Sequence, residues 1–551
     1  MKTNRFRCAV NIFGATILFA AGSEAQQENR TRSGPEVVSA PAEAADASAA
    51  ASERERLLLE RIDKLERRLA LIESSAAPKG PPGPPPTGFT PARTAALSAQ
   101  PVEFSGQQPA PAVPAPAQSQ PVSAPPEAEK PVKPEPFTFA DFSWLSGNSR
   151  ARESPLETRA FTGEVRFDAN YVYDFNHPKD HTISGSSEIF RSGEVQVTQV
   201  GVGGDFHWKN VLGRVMTQFG LYSQTTPRND ASPGVGQWNL DNAYRYISEA
   251  YGGYHLDVMN GINVEAGIFM SYVGLWSYYQ YDNWTYQPSY VSSNTPWFFN
   301  GVRIQFFPSD KLKIEPWFVN GWQSYGKFND SPGVGLQVLW RPNGALSVLS
   351  NSYYGKDALG VPGRKRIHSD DSIQVKLLDR PGHLVSKAAA SLTVDIGCEY
   401  GGGVSCSAGS SDRPAQYFLG FMTYGRLWFN DDRYAVTLGG GAINNPGRYL
   451  VLLPPINGAT AFSGTPYFTE SPGDNFRAWD YSVTFDYMPR DFVTFRLEFN
   501  RRVASVPYYS GPGGVTPDGG NTGPAGSVVP GFTPDLRKAE SRITGALLVK
   551  Y

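Results

Sequence analysis

From residue 162 onward, apolar side chains recur at every second position. Val165, Phe167, Ala169, Tyr171 and Tyr173 alternate with Glu164, Arg166, Asp168 and Asn170. Trp479, Tyr481, Val483, Phe485 and Tyr487 alternate with Asp480, Ser482, Thr484 and Asp486, and Val493, Phe495, Leu497 and Phe499 with Thr494, Arg496, Glu498 and Asn500. A period of two sends successive side chains to opposite faces, so each segment reads as a strand with one apolar and one polar face. The same pattern predicts strands over 162–175, 192–208, 211–225, 243–258, 261–274, 298–308, 311–323, 332–342, 345–354, 371–379, 386–400, 415–429, 433–443, 477–489, 491–503 and 538–551.

The connections decide the architecture. Short turns such as Lys209-Asn210, Asn260-Gly261, Ser309-Asp310 and Pro489-Arg490 alternate with longer loops, the longest being 444–476 and 504–537. An all-β, transmembrane antiparallel barrel of about 16 strands has this layout, with turns on the periplasmic side and loops outside. A soluble sandwich or propeller has no reason to sort its connections by length. Trp208, Phe307, Trp340, Phe429 and Tyr487 stand just before short turns, where an interfacial aromatic girdle belongs.

The polar face must then look into the lumen. Parity places Arg166, Arg245, Glu249, Glu265, Arg303, Lys313, Glu315, Arg426, Arg496, Glu498 and Arg542 on that wall. Acids and bases nearly balance, so no ion preference follows. Barrels of this size enclose a water-filled channel, so Val483→Arg should meet lipid while Thr484→Arg should meet water and be tolerated. The last residues, Ile543, Gly545, Leu547, Val549 and Tyr551, form an alternating strand with a terminal aromatic. Such an ending serves as the signal read by the barrel-assembly machinery.

Composition separates this barrel, residues 162–551, from what precedes it. All 11 Trp, all 27 Tyr and 27 of 32 Phe follow residue 136, whereas 18 of 45 Pro fall within 78–136. The N-terminal part therefore lacks the means to build a core. Lys2, Arg5 and Arg7, then an apolar stretch from Cys8 to Ala21 and small residues at Ser23 and Ala25, read as a signal peptide over 1–25. A disordered segment over 26–51 follows. Within 52–76, Leu58, Ile62, Leu65, Leu69 and Ile72 fall at spacings of four, three, four and three. That spacing is a coiled-coil seam, read either as a surface helix or as one strand of an oligomeric bundle. Residues 77–136 form a Pro/Ala-rich linker whose extended polyproline form, at about 3.1 Å per residue, reaches up to roughly 180 Å. A periplasmic arm of this length suits contact with the cell wall. Residues 137–161 are a pre-barrel segment.

Charge and cysteine usage narrow the chemistry. A net charge of -2 argues against a nucleic-acid partner. Past the first 25 residues no run of 18 apolar residues predicts a helical span. Cys398 and Cys406 are the cysteines left after cleavage. They flank a Gly-rich loop, and an oxidising compartment permits their pairing. Neither a metal site nor a cofactor is expected, since the six His are scattered and neither HExxH nor GxxxxGK[ST] occurs. Nor are catalytic residues: GxSxG is absent. Gly363-Arg364-Lys365-Arg366 reads as a basic outer loop, either solvated or touching lipopolysaccharide.

The stretches TPRNDASPGVGQWNLDNAYRYISEAYGGYHLD (226–257), GIFMSYVGLWSYYQYDNWTYQPSYVSSNTPWFFNGVRIQFFP (267–308) and KLKIEPWFVNGWQSYGKFN (311–329) resemble the β-barrel porin-2, OmpL-like family. The likeness runs through most of 137–551. It implies an outer-membrane porin of a Gram-negative-type bacterium and brings no catalytic residue with it; the arm falls outside the likeness.

The third long loop carries Trp276, Tyr278, Tyr279, Tyr281, Trp284, Tyr286, Tyr290 and Trp297. Folded inward, it would narrow the pore. Its rings would then line a slide for polar solutes or pack against the wall. The leading expectation is a passive-diffusion porin, assembled as a homotrimer in outer-membrane lipid. A substrate-selective sugar-type channel and a structural tether to the cell wall with a plugged barrel are the competitors, and a barrel enzyme is the weakest.

Overall fold

The computed structural model describes residues 135–551, apart from 234, 362, 408–409, 411–412 and 470–472. The signal peptide, the segment 26–51, the coiled-coil seam and all but the last two residues of the linker lie outside the described residues.

Sixteen antiparallel strands close into a barrel. They are β1 (Phe161–Asp174), β2 (Val195–Trp208), β3 (Val211–Thr217), β4 (Ile247–Leu256), β5 (Ile262–Met270), β6 (Phe298–Ser309), β7 (Leu312–Val319), β8 (Gly333–Asn343), β9 (Leu346–Gly355), β10 (Lys365–Asp379), β11 (Val385–Tyr400), β12 (Tyr417–Phe429), β13 (Tyr434–Asn445), β14 (Phe476–Arg490) and β15 (Val493–Ala504), then β18 (Ala539–Lys550). Between the last two, β16 (Tyr509–Ser510) pairs with β17 (Leu536–Arg537) as a small ribbon inside the loop 505–538. Each strand pairs with its chain neighbours, and β1 closes the ring on β18, with Arg166 opposite Lys550 and Asp174 opposite Arg542. The closed ring leaves no free edge, which is the condition for spanning a bilayer with strands.

The alternation sorts the faces as the period demands. On β14, Val483 is 42% exposed on the outer surface and its neighbour Thr484 is fully buried inside. Trp208 and Trp340 face outward beside their turns, whereas Phe307 turns toward the pre-barrel segment and meets the Phe137 ring edge-on at 6.4 Å. The turn at Asn430–Asp432 holds three consecutive residues at positive φ, a conformation that Asn and Asp tolerate better than other side chains.

Several strands end earlier than their pattern suggests. β3 stops at Thr217, and the next residues enter a loop with helical turns at Tyr222–Thr225 and Leu240–Tyr244. β5 stops at Met270 and β7 at Val319. After β5 and β7 the apolar run continues into Tyr272 and Trp322, which the loops bury; after β3, Tyr222 is buried while Phe219 faces outward. β10 begins earlier than its pattern, at Lys365.

Candidate functional site

Loop 271–297, between β5 and β6, is the third long loop, and it runs inside the barrel. Its side chains and backbone meet inward-facing groups of β4, β1, β15, β14 and β12, half the circumference. Tyr279 donates from its hydroxyl to Glu249 on β4 at 2.7 Å, and its ring lies 3.9 Å under the Arg166 guanidinium of β1. Asp282 pairs with Arg166 at 2.9 Å, and Arg166 also binds Glu164. Tyr286 donates to Asp168 at 2.9 Å. The Glu498 carboxylate of β15 accepts the backbone N–H groups of Tyr286 and Gln287, at 2.6 and 2.8 Å. Ser289 donates to Asp480 of β14 at 2.6 Å. Arg496 donates to the carbonyls of Gln280 and Asn283, and Arg426 of β12 to that of Trp284.

These contacts answer a physical requirement. An irregular segment inside a barrel has lost its water, so its peptide groups need partners from the wall. The inward Arg, Asp and Glu side chains supply them. The wall charges also satisfy one another: Asp486 binds Arg496 at 2.7 Å and Arg426 at 2.8 Å, and Arg542 pairs with Glu540 at 3.2 Å while reaching Gln287 of the loop at 3.1 Å. On the β5–β7 side Arg303 binds Glu265, and Lys313 binds Glu315 at 2.8 Å.

Arg166, Glu249, Glu265, Arg303, Lys313, Glu315, Arg426, Arg496, Glu498 and Arg542 thus all project inward. Arg245 does not join them: it follows the helical turn Leu240–Tyr244 and precedes the start of β4 by two residues. Its apparent parity arose because the loop's aromatic spacing mimics a strand. The basic stretch also departs from expectation, since Arg366 is buried and binds Glu399 at 2.9 Å. Cys398, at the top of β11, is disulfide-bonded to Cys406 in the loop beyond it.

The loop aromatics are packed. Tyr278, Tyr279, Tyr281, Trp284, Tyr286 and Tyr290 are buried, and Trp276 and Trp297 are partly so. Trp276 meets Tyr424 at 4.8 Å, Trp284 meets Trp428 at 5.7 Å, and Arg502 sits 4.1 Å over the Tyr290 ring. The sequence does carry a signal for this: β12, YFLGFMTYGRLWF, is apolar on both faces. Its inward Phe418, Met422, Tyr424 and Trp428 join the loop's Trp284, Tyr290 and Val291 in one buried cluster. A strand facing lipid on one side and water on the other would not show that pattern.

Open space remains on one side of the loop. A cavity of about 430 Å³ lies against β2–β5 and β8, lined by Asp205, Arg214, Glu249, Tyr251 and Gln337 from the wall and by Thr295 from the loop. Arg214 at its edge is held by Glu249 at 2.8 Å, Asp205 at 2.9 Å and Glu164 at 3.2 Å.

Residues 161–525 match the sequence profile of the beta-barrel porin-2, OmpL-like family. Among solved structures, the chain is similar to the trimer form of OmpT, an outer membrane protein of Vibrio cholerae, at 9% identity and a TM-score of 0.41 over 71% of this chain and 99% of that one. It is similar to the outer membrane channel DcaP of Acinetobacter baumannii at 12% identity and a TM-score of 0.39, over 74% and 100%. An anion-selective porin from Comamonas acidovorans aligns at 10% identity and a TM-score of 0.40, over 71% and 99%. No curated protein matches the chain.

Proposed function

Since the chain belongs to the beta-barrel porin-2, OmpL-like family of outer-membrane barrels, we propose that it is a passive diffusion channel for small hydrophilic solutes and ions, constricted by loop 271–297. One observation carries this reading. The loop is fastened from β4 round to β12, yet it leaves a polar cavity of about 430 Å³ against the wall of β2–β5 and β8. A barrel of this strand number would otherwise be wide, so the loop sets the bore. Paired carboxylates and guanidiniums along that wall give a permeating solute hydrogen-bonding partners without a strong net field.

Solute stacking on the aromatic loop is not supported, because those rings are engaged with the wall and with one another. The filled lumen does favour a second reading, a structural tether in which the barrel serves mainly as an anchor and the N-terminal arm contacts the cell wall. The first reading includes a homotrimer in outer-membrane lipid and lipopolysaccharide, and recognition of β18 by the barrel-assembly machinery.

Single-channel recording of the full chain in a planar bilayer tests the proposal. Stable ohmic steps are expected, with a reversal potential that reports the ion preference. Electrical silence from a heat-modifiable, folded barrel would overturn it in favour of the tether.

A further inference from the structure

We propose that residues 137–150 form a bar across the periplasmic mouth that holds the channel in a restricted state. The inference rests on the reading of the barrel as a channel. A segment leading into β1 has no need to enter the barrel, because β1 starts at the rim. This one crosses the mouth. Its Phe137 N–H donates to the carbonyl of Asp310 at 2.8 Å, in the turn between β6 and β7. Trp144, 1% exposed, donates from its indole to Gly344, in the turn between β8 and β9, at 3.1 Å. Arg150 ends the crossing by donating to the carbonyls of Arg490, Asp491 and Val493 and to the Thr494 hydroxyl, at the turn between β14 and β15.

The ring order turns those contacts into a geometry. Between β7 and β15 lie eight steps in either direction around the sixteen strands, and the same holds for β6 and β14. The two anchoring hairpins are therefore opposite one another, and the segment spans a diameter. Along the way it touches the loop above. Ser146 exchanges two hydrogen bonds with the Gln374 side chain of β10, Gly147 donates to Asp282 at 3.0 Å, and Trp284 donates to the Trp144 carbonyl at 3.1 Å. Gly147 has φ +81° and stands so close to the Leu275 carbonyl that a Cβ would collide with it. Bar and loop are thus two stacked obstructions sharing polar contacts.

The bar is not part of the ladder: it is held by these hydrogen bonds, by cation–π contacts of Arg341 over Phe137 at 5.2 Å and Phe142 at 4.7 Å, and by burial of Phe142, Trp144 and Leu145. It is also the covalent link between residues 1–134 and β1, so a pull on the N-terminal arm loads the bar before it loads the barrel.

The test compares full-length wild type with Trp144→Ala, Arg150→Ala and the double variant in planar bilayers, each shown to be folded by heat-modifiable migration. The double variant should give unit conductance severalfold above wild type, with the single variants between. A folded double variant with wild-type conductance overturns the bar while leaving the channel intact. Silence of both folded proteins overturns the channel reading, and the bar falls with it. Hydrogen exchange of the wild-type chain is the check that needs no variant to fold. The amides of Phe137 and Gly147 should be protected, and free exchange there would equally overturn the proposal.

Discussion

The carboxylate of Glu498, on β15, accepts the backbone N–H of Tyr286 at 2.6 Å, and one of its oxygens also takes the Thr484 hydroxyl at 2.8 Å. A single wall residue therefore ties the inward loop to two strands. Glu498→Ala leaves two buried peptide N–H groups without acceptors, at about 1–3 kcal/mol each. The amides of Tyr286 and Gln287 should exchange faster, and the open-channel current should become noisier. Glu498→Gln, which keeps an acceptor oxygen, should recover part of both. Unchanged protection of those amides in the alanine variant would show that the loop is held elsewhere.

Val483 and Thr484 are adjacent and face opposite ways, yet arginine should be damaging at both. At Val483, on the lipid face, it costs about 2–4 kcal/mol near the bilayer midplane. At Thr484 the sequence alone expects tolerance, but that side chain is fully buried under the loop. Forcing a larger residue into such packing costs about 1–3 kcal/mol. Both variants should unfold at lower temperature in a heat-modifiability gel. Wild-type behaviour of Thr484→Arg would mean that the lumen beneath the loop is open water.

Asp486 neutralises two buried guanidiniums at once. Asp486→Asn keeps the shape but leaves Arg426 and Arg496 without their counter-charge, and breaking a buried pair in this way costs about 3–5 kcal/mol. The midpoint of thermal unfolding should fall well below that of wild type. The double variant Asp486→Asn with Arg426→Met should recover a substantial part of the loss, because one of the stranded charges is gone.

The outer loops carry a pH-sensitive contact. Burial of Asp180 disfavours its charge, but hydrogen bonds from the Val515 backbone, Thr516 and Thr182 outweigh it and hold the carboxyl below its usual range. A depressed carboxylate stabilises the folded contact above the unfolded value of about 3.9 and loses that contribution as pH falls through the lower folded value. Val515 should therefore keep its amide protection at neutral and mildly acid pH, after correction for intrinsic exchange rates, and lose it only below about pH 4. Asp180→Asn should remove the pH step.

How much of this was legible beforehand differs from segment to segment. The strands of β14 and β15 are written in strict alternation, because a strand's face depends only on its own period and on what lies to either side. Arg245 is the exception, since a helical turn beside a strand can carry the same short alternation over a few residues. The apolar inner face of β12 was present in the sequence all along. Its meaning depended on knowing that Trp284 and Tyr290 arrive there from more than a hundred residues away.

The sequence by itself determined the barrel: its face parity, its sorting of turns from loops and the order in which strands follow one another, all of which are local or nearest-neighbour properties. The tertiary structure alone decided what fills it. Loop 271–297 and residues 137–150 have no regular period to read, and their destinations are chosen by contacts such as Glu498 with Tyr286 and Arg150 with the carbonyls of the β14–β15 turn. Those contacts exist only once the ring has closed and the segments have packed against its inner face, where their peptide groups must find partners on the wall.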